Sequence, residues 1–427
     1  MELIFQKAGI LSFSNLEEIC HAAIAFSSQP IPKGNNVGMI TNTGGPAIIA
    51  TDELVNCGLT IPSLSEKAKS ELKQTMLDAA SINNPLDVVA TAGAEHFKSA
   101  FEVMLKEEKI ESIYLTFVTP PFVDCVSVAK VLAEISKKQI KPIVCNYITD
   151  KQNWAETSKI FNEGGIPCFD YPETAAKALS SLVRYNAISS KPKGNVKIFD
   201  DVNLTLVKNI LNQYKTNKIE IMSAEDVYSV MDAFKILVAG WKIAKNKDEA
   251  ITYAGTLGFP IVVKVDSEKI IHKSDVGGVA VNIKNNTELE SVINKMYSDF
   301  GTDIKFFIQN FLPKGKELII GAKAEAGVGH LIMFGLGGIF VELLKDVSFN
   351  ITPVSDFEAE EMLSSIKASK LITGYRGEKG MNKSKIIEII QRISMLVSEF
   401  PEIKELDLNP LFAFDDQICA VDARIIL

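Results

Sequence analysis

The sequence predicts an α/β protein, with a doubly wound parallel sheet first and a two-lobed α+β region after it. Three observations carry that expectation. Between about residues 30 and 187, short apolar runs alternate with helical patterns at the spacing of βαβ units. Residues 188–204 (ISSKPKGNVKIFDDVNL) then break the rhythm, with no clear period and several polar and breaker residues, as a linker does. Beyond them, helical patterns alternate with β-rich runs in no βαβ order.

Taken in order, Ile10–Phe13 reads as a strand and Asn15–Phe26 as a helix, with Ser14 as cap and Glu17 completing a capping box. That βα unit has no sheet of its own, so it either wraps onto the next domain or is the tail of one outside this chain. Val37–Thr41 is the first strand of the main rhythm. The loop Asn42–Gly45 and a helix from Pro46 to about Cys57 follow. Pro46 suits a first helical turn and Gly58 the position past the end. Then come strand Ser112–Val118, a helix near Val123–Ser136 and strand Pro142–Tyr147. A helix near Asn153–Asn162, strand Ile166–Phe169 and a helix near Glu173–Tyr185 complete a doubly wound sheet of flavodoxin-like type. In the second half, Pro260–Val265, Phe306–Phe311, Glu317–Ala322, His330–Phe334 and Leu406–Phe414 are the β-rich runs.

Composition narrows the function classes. The 427 residues carry 45 Lys+Arg against 53 Asp+Glu, a formal charge of −8, with no basic block. Bulk charge therefore argues against nucleic acid or an anionic membrane as partner. The six cysteines form no CxxC pair, which argues against a zinc site or disulfide scaffold and suits a reducing compartment. The apolar run Leu331–Val341 is too short to span a bilayer, and MELIFQKAGI lacks the pattern of a signal peptide. A cytoplasmic protein is the expectation.

The C-terminal segment ELDLNPLFAFDDQICAVDARIIL is the most specific chemically. A hairpin centred on Asp415-Asp416 pairs residues whose numbers sum to 831, so Asn409 faces Asp422 and Asp407 faces Arg424. An amide oxygen and a carboxylate so placed can share a hard cation such as Mg²⁺. A solvated hairpin with an Asp–Arg pair is the plainer alternative. Lys264 ends an apolar strand, where an unpaired charge is costly unless it meets solvent or an anion. Eight residues on come His272, Lys273 and the glycine pair Gly277-Gly278, whose backbone can approach phosphate oxygens. The alternative is an exposed hairpin with a snorkelling lysine. His21, His96 and His330 read as structural, whereas His272 has the neighbours of a phosphoryl acceptor. Gly335, Gly337 and Gly338 precede Glu342 and Asp346, while Gln309–Phe311 ends a strand ahead of Glu317. Singly, these read better as plain core strand and exposed turn.

In combination and order, the stretches VVKVDSEKIIHKSDVGGV, FIQNFLPKGKELIIGA, FGLGGIFVELLKDV, TGYRG and ELDLNPL…AVDAR resemble the ATP-grasp fold. They are more closely similar to the NDP-forming acyl-CoA synthetases, such as ADP-forming acetate–CoA ligase. NNVGMITNTGGPAIIATDEL, NNPLDVV and GGIPCFDYPETAAKAL extend the resemblance through the first domain. It implies a 1–29 tail of a preceding CoA-ligase domain, a flavodoxin-like CoA-ligase domain over 30–187, the 188–204 linker and an ATP-grasp domain over 205–427. It implies that Lys264 holds ATP phosphates with Gly277, Gly278, Gly337 and Gly338 nearby, that Gln309 and Phe311 line the adenine hinge, and that Glu317 lies near the ribose. Asn409 and Asp422 would ligate Mg²⁺, His272 would carry phosphate, and Arg376 would contact phosphate or a neighbouring subunit.

The resemblance also implies the reaction acid + CoA + ATP ⇌ acyl-CoA + ADP + phosphate through acyl phosphate and phosphohistidine. The glycine-rich CoA fingerprint and Ser-His-Thr-Gly loop of complete members do not occur in these 427 residues. A partner subunit supplying the CoA and carboxylic acid sites, in an oligomer, is therefore expected. Two alternatives stand beside this reading: a nucleotide-sensing module without turnover, and an ATP-grasp carboxylate–amine ligase, for which His272 would be dispensable.

Overall fold

The computed structural model describes the chain except residues 1, 267–276, 314, 339–340, 342–343 and 376–378. It divides into two compact units, Met1–Lys191 and Pro192–Leu427.

In the first unit, β1 (Val37–Thr41), β2 (Leu86–Asp87), β3 (Ser112–Val118), β4 (Ile143–Ile148) and β5 (Cys168–Phe169) are all parallel, in the spatial order 2-1-3-4-5. That is the flavodoxin-like order, with helices packed on both faces. β1 is buried at every position and β3 at all but its last, as continuous apolar strands are when both faces are covered. One face packs Phe97, Phe101, Leu132 and Phe161. The other packs Ala25, Leu54, Ala175 and Leu179.

The opening residues depart from expectation. Ile10–Phe13 is not a strand. A strand needs a partner backbone, and here the Ser12 carbonyl accepts from the Arg184 guanidinium, which also lies over the Phe13 ring. The following helix, Leu16–Ser28, is capped by Asn15 rather than Ser14. Asn15 Oδ1 accepts from Glu18 N at 2.9 Å, while Glu18 Oε2 accepts from Ser14 N at 3.2 Å, so the expected reciprocal chemistry occurs one residue later. Gln29 closes this helix from a buried position, with Oε1 accepting from Ile143 N at 2.7 Å and Nε2 donating to Ser136 Oγ and Gly165 O.

The second unit holds two antiparallel sheets. The smaller has β6 (Trp241–Ala244), β7 (Ile261–Asp266), β8 (Val279–Ile283) and β9 (Lys305–Asn310), in the order 6-9-7-8 among the described residues. Ile261, Val263 and Val265 face a core shared with Leu289 and Ile293 of the helix Asn286–Phe300, and the period of two turns Lys264 to the opposite face. The larger sheet runs β12 (Val347–Ile351), β11 (Gly329–Leu336), β10 (Lys316–Glu325), β13 (Glu405–Ala413) and β14 (Ile418–Ala420), with β15 (Ala423–Ile426) also pairing β13. Leu318, Ile320 and Leu408 pack against Ile390 and Ile393 of the helix Lys383–Glu399. No described helix is long and apolar enough to cross a membrane.

Candidate active site

The site is built on the last hairpin. Asp407 faces Arg424, Leu411 faces Ala420 and Ala413 faces Ile418, every pair summing to 831. Asn409 and Asp422 are therefore opposite each other, and Asn409 N donates to Asp422 O at 3.2 Å. Both residues are exposed. Asp407, half-buried two residues before Asn409, has its carboxyl pushed up to about 6, by burial first and then by the charge of Asp422. Arg424 offsets only part of this.

Lys264 joins the smaller sheet to this hairpin. Its Nζ lies 3.2 Å from Asp422 Oδ1 and 3.2 Å from Val421 O, with the Phe307 ring 5.6 Å away. The lysine side chain is only 13% exposed against 59% for Asp422. A cation so nearly enclosed needs an anionic partner, and Asp422 serves as one. Lys264 and Asp422 are thus brought together from positions 158 residues apart.

The other candidates fall into two groups. Gln309 is fully buried in the central strand β9, on the face it shares with Phe307 and Lys264. Phe311 follows it, its N–H donating to Pro260 O at 3.0 Å. Glu317 packs directly under the glycine pair that follows β11: Gly337 N donates to Glu317 O at 2.7 Å. A Cβ on Gly337 would lie 2.8 Å from Glu317 Cβ, and one on Gly338 would lie 3.2 Å from Glu317 Oε2, so these positions require close backbone approach. Gly277, at φ +75°, opens the turn into β8, and Gly278 O accepts from Val265 N one residue after Lys264. His272, Arg376 and Glu342 lie outside the described residues.

Asp346 is buried and accepts from Lys367 N at 2.7 Å and Ala368 N at 2.8 Å, pinning the loop before Lys370. The remaining histidines have structural partners. His330 Nε2 contacts Ile403 O at 2.6 Å, His96 Nδ1 accepts from Gly93 N at 3.2 Å, and His21 packs edge-on to Phe169. Sequence reading missed Tyr228. Its hydroxyl donates to Val421 O at 2.8 Å and accepts from Gln309 Nε2 at 3.3 Å. Nothing local marks it, because its partners are 193 and 81 residues away.

A divalent cation fits the hairpin. Among the described residues, no group of three or more His, Cys, Asp or Glu gathers as a metal site. What the chain offers is Asn409 and Asp422 side by side, with the Lys264 ammonium already drawn to the carboxylate. Mg²⁺ suits such a place, since it takes one or two protein oxygens and completes its shell with substrate phosphates and water.

Residues 213–427 match the ATP-grasp domain family and residues 37–190 the Ligase-CoA domain family. The chain is 34% identical over 420 residues to the ADP-forming 4-hydroxybutyrate–CoA ligase of Nitrosopumilus maritimus, covering 97% of this chain and 60% of that protein. It is 43% identical over 204 residues to subunit beta of ADP-forming acetate–CoA ligase I of Pyrococcus furiosus, covering 46% of this chain and 88% of that subunit. The solved structure of Ca. Korarchaeum cryptofilum ACD1 in complex with coenzyme A matches with a TM-score of 0.50 and 37% identity, over 52% of this chain and 99% of that one. The chain spans about 60% of the length of the longer curated relatives. With an ATP-grasp match over half its length and a relative 43% identical over most of that relative, the chain belongs to the NDP-forming acyl-CoA synthetase family.

Proposed function

We propose that this chain is the ATP-binding, phosphoryl-transferring part of an ADP-forming acyl-CoA synthetase, which converts acid, CoA and ATP to acyl-CoA, ADP and phosphate. The observation that carries the reading is the convergence of Lys264, Asn409 and Asp422 where the two sheets of the second unit meet. ATP phosphates entering there would take Lys264 from Asp422 and free that carboxylate for Mg²⁺. Asn409 and Asp422 would hold Mg²⁺, which neutralises charge on the transferring phosphoryl group. Gln309 and Phe311 would line the base, and Glu317, seated against Gly337 and Gly338, the ribose.

His272 belongs to the connection between β7, which carries Lys264, and β8. As acceptor, its ring nitrogen forms a bond to the γ-phosphorus while the bond from that phosphorus to the β–γ bridging oxygen breaks, and ADP leaves with the electron pair. Arg376 would help hold the transferred group. The CoA and acid sites would come from a partner chain; the reading is supported by the similarity of this chain to 88% of a Pyrococcus furiosus beta subunit but to only 40% of an alpha subunit. All six cysteines are free, which supports a reducing, cytoplasmic setting.

The test is incubation with Mg²⁺ and γ-labelled ATP, with His272→Ala as control. Protein label that survives base, is lost in acid and is absent from the variant is the expected result. Measured MgATP binding with no label on the wild type would sink autonomous phosphotransfer. Label that persists in His272→Ala would remove His272 from the mechanism.

A further inference from the structure

We propose that residues 2–28 are a docking segment for the open edge of a partner's parallel sheet. Leu11–Phe13 would add a strand to that edge, and the outer face of the helix Leu16–Ser28 would cover the sheet. The inference rests on a repeat inside the first unit and stands independently of the nucleotide site.

Residues 2–28 repeat residues 158–184. At a constant separation of 156 positions, Phe5, Gly9, Ile10, Phe13, Glu17 and Ala22 recur as Phe161, Gly165, Ile166, Phe169, Glu173 and Ala178. Identities alone would mean little, but the backbone repeats with them. The helices Glu2–Lys7 and Ala155–Glu163 both run into a glycine in left-handed backbone, Gly9 at φ +71° and Gly165 at φ +70°. Gly9 N donates to Gln6 O and Gly165 N to Asn162 O, both at 3.1 Å. Ile10 N donates to Phe5 O at 2.7 Å, and Ile166 N to Phe161 O at 2.9 Å. The two helices are thus closed by the same turn. The next helices begin at Leu16 and Pro172, again at the same separation.

The copies differ in what covers them. In the second, β5 joins the edge of the sheet, where Cys145 N of β4 donates to Pro167 O at 2.9 Å. Phe161, Ile166, Ala175, Ala176 and Leu179 are buried in the cores on the two faces of that sheet. Their equivalents in the first copy are Phe5, Ile10, Ile19, Cys20 and Ala23. Phe5 is half-buried, Ile10 is 51% and Ile19 46% exposed, and Cys20 and Ala23 are exposed as well. The helix Leu16–Ser28 therefore has two apolar faces, one buried within its own unit through Ala22 and Ala25 and one bare. Leu11 O stands where Pro167 O stands in the second copy. Successive carbonyls of a strand point to opposite sides, so Ser12 O, held by Arg184 at 3.0 Å, would face away from an incoming edge and Leu11 O toward it.

An added strand supplies main-chain pairing, and the apolar helix face supplies burial. The second copy shows what such a segment covers, so the occupant is a flavodoxin-like sheet without its own last strand and helix. ADP-forming acetate–CoA ligase of Methanocaldococcus jannaschii matches 100% of this chain over 62% of its own length. Its match includes both copies and leaves a further stretch in which such a sheet can lie.

The probe is that further stretch, co-expressed as a separate chain with the full chain, either wild type or Ile10→Asp/Ile19→Asp. Wild type is expected to bring the probe into a soluble complex in which Cys20, exposed in the chain alone, no longer takes maleimide. The double variant should keep the wild-type melting temperature and lose the complex. No complex with wild type overturns the proposal, as does one that forms equally with the variant or leaves Cys20 reactive. A variant that fails to fold overturns it too, because the face would then be filled from within. Self-association of wild type alone, abolished by the same two substitutions, overturns it in favour of a second copy as occupant.

Discussion

Asp407 gives a prediction with an uncommon sign. Its carboxyl stands at about 6 against an ordinary 3.8, a difference of about two pH units. At 1.36 kcal/mol for each, the charged form costs the fold about 3 kcal/mol. Partial solvent access and screening reduce this to about 1–2 kcal/mol. A native state that binds its proton more tightly than the unfolded chain loses stability as pH rises. The cost is absent below about pH 4, develops between about pH 4 and 6, and is fully present above that. Asp407→Asn removes the charge and should make the metal-free protein more stable than wild type by about 1–2 kcal/mol at pH 7.5. The gain should shrink steadily toward pH 5. Urea denaturation of both proteins with EDTA present, at several values from pH 5 to 8, measures it. Taking the difference at each pH cancels other titrating groups, such as Glu107 and Glu388, whose carboxyls are held below their ordinary range. A difference that does not vary with pH, or a less stable variant at pH 7.5, would refute the assignment of this cost to Asp407.

Gly337→Ala should destabilise the second unit by about 1–3 kcal/mol and weaken MgATP binding, because its Cβ would meet Glu317 Cβ and backbone rather than a flexible tip. Urea midpoints and nucleotide titration check both effects. Gln29→Ala should cost the first unit about 2–4 kcal/mol, since it deletes three hydrogen bonds and leaves the buried Ile143 N–H of β4 unpaired. An unfolding midpoint unchanged from wild type would contradict this. Val89, a β-branched residue at φ +66°, sits in left-handed backbone, so Val89→Gly should stabilise the first unit by roughly 0.5–1 kcal/mol despite glycine's added chain entropy. Calorimetry would register this as a raised melting temperature.

Much of this protein is legible in its sequence, because the signals that specify it are local. The strands Val37–Thr41 and Ser112–Val118 occur where their apolar runs and flanking breakers place them. The hairpin register follows from one turn position and the period of two, and those alone bring Asn409 opposite Asp422. Elements with little local signal escape. β2 has two residues, too few to show a period, and Ile10–Phe13 has the composition of a strand but no neighbour to pair with.

What tertiary structure alone decided are the properties that depend on distant groups. Lys264 could be suspected of needing an anion, but only the fold shows that Asp422 is the one at hand. The raised carboxyl of Asp407 depends on how deeply the packed sheet buries it, and composition carries no measure of depth. Tyr228 could not be singled out, because its hydroxyl gains its partners only when Val421 and Gln309 arrive at its oxygen. Periodicity and turn chemistry are short-ranged and are written along the chain. Desolvation, charge coupling and hydrogen-bond direction belong to pairs of atoms that only the folded chain brings together.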